Sequence, residues 1–112
     1  MRKSLLLVIL VFVLVLAGCG SNLSEIGREI GEEAISIIDS FLDGEITGNT
    51  AHAMILELNY FGRLDADYRD DRTLRSRLII IENAILIDTD DARNNIIQAR
   101  NGIAGVLGLD SR

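Results

Sequence analysis

Residues 78–87 read LIIIENAILI, and the fold class turns on them. LIII at 78–81 and ILI at 85–87 are rich in β-branched side chains, which suit strands. A half-buried strand would alternate apolar and polar residues, and the flanks of this run do not. Glu82-Asn83-Ala84 instead continues a helical turn, and Leu74, Leu78, Ile81 and Ile85 fall on one side at spacings of three and four. The reading is a helix over about residues 71–87, with a partial strand as the alternative.

The segments around it carry the same period. Upstream, Ile26, Ile30, Ala34, Ile37, Ile38 and Phe41 form a stripe on a helix of about residues 23–43. Asn22 and Glu25 fit a capping box at its start, and Gly44 with Gly48-Asn49 ends it. Gly27 and Gly31 lie on this helix; each weakens it by about 1 kcal/mol relative to alanine, so close packing within the chain should offset them. A second helix, about Thr50 to Ala66, turns Ala51, Met54, Ile55, Leu58 and Phe61 inward, with Leu64 near that line. A fourth, about Asp90 to Leu107, uses Ala92, Ile96, Ala99, Ile103 and Val106. Asp88 or Thr89 caps it, and Asp90 and Asp91 suit the positive end of its dipole. Its glycines, Gly102, Gly105 and Gly108, predict a frayed end. Four apolar stripes joined by short links predict an all-α fold, a small antiparallel helical bundle of three to four helices over residues 23–112. A three-helix core with a membrane-proximal first helix is the alternative topology.

The other end of the chain reads MRKSLLLVILVFVLVLAGC. Arg2 and Lys3 precede an unbroken apolar run, Leu5 to Leu16, and small residues lead into Cys19, the single cysteine. A membrane-spanning helix needs about 20 apolar residues, so this run is short for a span and has the layout of an export signal. Leu16-Ala17-Gly18-Cys19 resembles the lipobox of bacterial lipoproteins. That resemblance covers residues 1–19 only. It implies that residues 1–18 are a signal peptide, that Leu16, Ala17 and Gly18 are read by the signal peptidase, and that Cys19 becomes the first mature residue. It further implies a diacylglyceryl group on the Cys19 sulfur and an acyl group on its amine. The membrane is then the first partner. The place is the outer face of the cytoplasmic membrane, or the outer membrane where the host has one. Each buried methylene is worth about 0.8 kcal/mol, and two or three chains hold a protein without help from its surface. The alternative is an ordinary secretory cleavage site, which would leave a lone thiol exposed in an oxidising compartment.

Loss of residues 1–18 removes Arg2 and Lys3, and the net charge of the chain moves from −6 to −8. Such acidity disfavours nucleic-acid binding, which depends on neutralising phosphates. It also disfavours adhesion to anionic headgroups, a force that reaches about 8 Å in physiological salt. Residues 19–22 leave only a short tether: Gly20-Ser21-Asn22 reach about 10 Å when extended.

Motifs for chemistry are absent from the sequence. The single histidine, His52, lies near the start of the second helix, and no local motif joins it to Ser36, Ser40 or Ser76. Neither E-x-x-H nor H-E-x-x-H occurs, so a di-iron bundle or a zinc protease lacks its ligands. Asp65, Asp67, Asp70 and Asp71, and again Asp88, Asp90 and Asp91, lack the glycine and glutamate of a calcium loop, and Arg63, Arg69 and Arg72 intersperse the first group. Asp65 with Arg69 and Asp71 with Arg75 read as exposed i,i+4 pairs. The expectation is therefore no catalytic residue, no cofactor and no metal. The functional reading is a lipid-anchored cell-envelope protein with a non-enzymatic helical protein-interaction domain and an envelope protein as partner. A small-ligand or metal-binding lipoprotein, or one that excludes a phage or toxin, is the alternative.

Overall fold

The computed structural model describes residues 22–112, so the signal sequence, Leu16, Ala17, Gly18 and Cys19 lie outside the described residues. Four main helices and one single turn make up the body: α1 (Glu25–Leu42), α2 (Gly48–Glu57), α3 (Tyr60–Arg63), α4 (Arg69–Ala84) and α5 (Asp90–Leu107). No strand occurs among the described residues. The LIIIENA run is helical within α4, and Ile85-Leu86 form the turn that follows.

Contacts at the helix ends set the topology. The Asp70 N–H donates to the Asn22 carbonyl at 3.0 Å, so α1 and α4 begin side by side. Arg93, early in α5, donates to the Leu42 carbonyl at the end of α1 at 2.8 Å. Leu107, at the end of α5, packs against Gly31. Helices α1 and α4 thus run one way, and α2–α3 and α5 return, as an up-down bundle.

The stripes read from the sequence meet in its centre, except Ile26, expected on the α1 stripe, which is 40% exposed. Ile30, Ala34, Ile38, Ala51, Ile55, Leu74, Leu78, Ile81 and Ile103 are fully buried, and Ile96 nearly so. Each large aliphatic side chain buried in this way contributes about 1.5–3 kcal/mol. Because α1 supplies a full share of this core, the bundle has four helices, and the peripheral first helix of the alternative topology is not observed.

Four sequence expectations are corrected. The capping residue of α1 is Ser24, whose hydroxyl accepts from the Gly27 N–H at 2.9 Å; Asn22 contributes its carbonyl to α4 instead. The second helix does not run unbroken from Thr50 to Ala66. It stops at Glu57 and restarts at Tyr60, with Asn59 between in the left-handed region (φ 49°). Asparagine tolerates that conformation better than most residues. The break rotates the register, so Tyr60 turns inward and Phe61, expected inside, is 64% exposed. Met54 is exposed as well, and Leu64 closes the core. Finally, α5 does not end frayed: Gly108 takes the left-handed conformation (φ 76°), and the Leu109 N–H closes on the Ala104 carbonyl at 2.7 Å. Thr89 caps its other end, accepting from the Ala92 N–H.

Close packing within the chain accounts for the glycines of α1. A Cβ at Gly27 would lie 2.5 Å from Asp71 Oδ1, and one at Gly31 would lie 3.1 Å from Leu107. Gly105 has nothing within 4 Å. The two classes predict opposite signs. Gly105→Ala should raise stability by up to about 1 kcal/mol through helix propensity. Gly27→Ala should lower it by about 1–3 kcal/mol through overpacking. Urea unfolding followed by circular dichroism distinguishes them.

Candidate functional site

Two ends and one flank of the bundle hold its polar chemistry. At the end where the chain enters, Asp71 is fully buried. Its carboxylate accepts from the Ser24 N–H at 2.8 Å, the Ser24 hydroxyl at 2.6 Å and the Asp65 N–H at 2.9 Å. Three segments therefore meet on one side chain: the start of α1, the α3–α4 loop and the first turn of α4. Helix α4 has no side-chain cap of its own. The Asn22 carbonyl takes one of its free N–H groups, as helix starts require. The expected pairing of Asp71 with Arg75 is corrected, because Asp71 points inward. Arg75 instead donates to the Leu64 carbonyl and lies 5.2 Å from the centre of the Phe61 ring. The expected Asp65–Arg69 pair is corrected too. Residues 65–68 form a turn rather than a helix, Asp65 accepts from the Asp67 N–H, and Arg69 pairs with Asp70.

Along the α1–α5 face, Arg100 is 6% exposed and forks onto Asp39, with both nitrogens at 3.0 Å. It also donates to the Asp110 carbonyl, while Arg112 reaches Asp39 and Asp43. Residues 109–112 are thereby laid back along the bundle. Burial alone would raise the Asp39 carboxyl, but hydrogen bonds from Arg100 and Arg112, with their charge, outweigh it and hold Asp39 below the usual carboxylate range. On the flank, the buried Tyr60 donates to Glu82 at 2.5 Å. Burial, then that bond and the charge of Glu82, push the Tyr60 hydroxyl well above its ordinary range.

The far end, where α1 and α4 finish, is more open. One hollow of about 270 Å³ is lined by Phe41, Thr47, Gly48, Asn49 and residues 85–88. A second, of about 340 Å³, adjoins it across the shared residues Phe41, Ile87 and Asp88, and is rimmed by Asp90 and Arg93. Leu86 and Ile87 stand half exposed above them. The densest charge cluster of the sequence lies instead at residues 63–72, near the other end. The signal of the far end in the sequence is ILI at 85–87, one turn longer than the stripe of α4 requires.

His52 lies in the second turn of α2, half-buried, and no hydrogen bond joins it to Ser36, Ser40 or Ser76 among the described residues. No three His, Cys, Asp or Glu side chains come together as a metal site among those residues. None of the described helices is long and apolar enough to cross a membrane. No family model, curated protein or solved structure matches this chain.

Two predictions follow the geometry. Asp71→Asn leaves one oxygen where two carboxylate oxygens served three donors. It should cost about 2–4 kcal/mol, with amide hydrogen exchange at Ser24 and Asp65 accelerating most. Asp39 has a folded pKa below its unfolded one, so its contribution is complete above the ordinary carboxylate range and is lost as pH falls through the depressed value. Asp39→Asn should therefore be less stable than the parent at neutral pH, with the gap closing below about pH 4 in pH-dependent urea melts.

Proposed function

We propose that this protein is a lipid-anchored cell-envelope protein whose helical body serves protein–protein contact rather than catalysis. The L-A-G-C resemblance at residues 16–19 supports the anchor, and one structural observation carries the reading further. The Asn22 carbonyl is already bonded to α4, and Ser24 is bonded to Asp71. Only Gly20 and Ser21 separate Cys19 from Asn22. A lipid on Cys19 would thus hold the bundle within about 10 Å of the bilayer surface. Helix α1, 18 residues long, would carry the far end about 27 Å further out at 1.5 Å per residue. An apolar end held at a set height suits contact with another envelope protein.

The small-ligand alternative finds less support. Small-molecule sites enclose most of their ligand in a cleft of about 300–1,000 Å³. The hollows here are open and lie on the surface.

The test is the sulfur. With Cys19 intact, the membrane fraction should hold a chain that begins at residue 19 and carries two or three acyl chains by mass spectrometry. Cys19→Ser should leave the membrane-bound mature form undetectable, with unprocessed precursor or unlipidated protein in its place. Retention of a normally trimmed, membrane-bound Cys19→Ser protein would overturn the anchor.

A further inference from the structure

Resting on the reading of an envelope contact module, we infer that the far end of the bundle is its docking surface, and that it takes a protein segment in which apolar side chains stand next to Lys or Arg. The apolar part of the surface is built from Phe41, Ile87 and Leu86. Phe41 and Ile87 line both hollows, and Leu86, which lines the first, is 52% exposed. Exposed apolar side chains over concave surface, rimmed by charge, are the usual composition of a contact site. Each hollow has room for a large side chain.

Charge selects among the occupants. Asp88 lines both hollows and Asp90 lines the second. Asp88, Asp90, Asp91 and Glu45 are exposed and make no ion pair among the described residues. The one basic residue at the rim, Arg93, is turned to the Leu42 carbonyl. A second copy docked through this same patch about a two-fold axis would bring Asp88, Asp90 and Asp91 of both copies into one interface with Arg93 of each as the basic lining residue, a surplus of like charge that disfavours self-association here. Anionic lipid headgroups meet the same repulsion, and the tether leaves from the opposite end. A cationic partner gains on both counts, because opposite charge steers its approach and the apolar side chains hold it.

The test uses the full chain in cells that export it. A photo-crosslinking amino acid replaces Leu86, and in separate strains replaces Ile26 or Ile80, two exposed apolar residues elsewhere on the bundle. Adducts are mapped by mass spectrometry, and membrane fractionation is run on the same samples. Leu86 should give one dominant protein adduct, absent from the Ile26 and Ile80 strains, whose linked peptide has Lys or Arg beside apolar residues. Asp88→Lys should reduce its yield about tenfold, with Asp88→Asn between the two. Asp88 is exposed and makes no hydrogen bond, so neither change disturbs the fold. Three results would overturn the inference: equal adducts at all three positions, a Leu86 adduct to a second copy or to lipid, or one indifferent to Asp88→Lys. A membrane-bound protein with no Leu86-specific adduct rejects the docking surface and leaves the anchor standing. A soluble, unlipidated protein rejects the anchored reading itself.

Discussion

The buried carboxylate of Asp71 is the constraint on which the arrangement of the bundle depends. A carboxylate removed from water is tolerated only when its oxygens are bonded, and here three donors supply the bonds. Two of those donors belong to Ser24, 47 residues distant in sequence. The bond network therefore fixes α1 against α4 with directional bonds, in addition to the interdigitated apolar packing. Gly27 is part of the same device. Only a residue without Cβ lets the Asp71 carboxylate come so near the helix backbone.

A second polar fastening acts from the other side. Arg100 on α5 forks onto Asp39 near the end of α1, and Arg112 adds to it. With Asp71 near one end of α1 and Asp39 near the other, the helix is held at two points along its length. The aliphatic core between them supplies most of the free energy. The two carboxylates supply direction and register, and removing a partner from either would leave an unpaired charge partly or wholly out of water.

The helices were legible in the sequence because burial in a bundle imposes a period, and the stripes at 30, 34 and 38, at 74, 78 and 81, and at 96 and 103 follow it. Asp71 reads as a surface charge from the sequence and Arg100 attracts no notice there, although the period places both on buried stripes. Asp71 lies three residues before Leu74 and seven before Leu78. Arg100 lies four after Ile96 and three before Ile103. A charge on a buried stripe signals a partner on another helix, and at Asp71 the i,i+4 spacing to Arg75 hid that signal by offering a local one. The break at Asn59 was hidden for a different reason. Residues 50–66 carry no glycine or proline before Gly62, and only the left-handed tolerance of asparagine marks the turn. The ILI run at 85–87 marks the far end, but its first hollow forms only where the α1–α2 and α4–α5 loops, distant in sequence, meet.

The two ends of the bundle differ in charge as well as in shape, and the difference bears on how an acidic body sits beside a membrane. Around Asn22 the aspartates at 65, 67 and 70 are interleaved with Arg63, Arg69 and Arg72, and two of these arginines donate to main-chain carbonyls nearby. At the far end, Glu45, Asp88, Asp90 and Asp91 are exposed and make no ion pair among the described residues, and they outnumber Arg93 beside them. In the proposed anchored protein, repulsion from anionic headgroups decays over about 8 Å, so it acts strongly only on charge held close to the bilayer. In that protein the mixed end would lie within about 10 Å of the surface, and the acidic end about three Debye lengths further out. Tilting the bundle would bring the acidic end down into the repulsive zone. The short tether and the distribution of charge therefore favour the same upright posture, which turns Leu86 and Ile87 away from lipid and leaves them open to a partner.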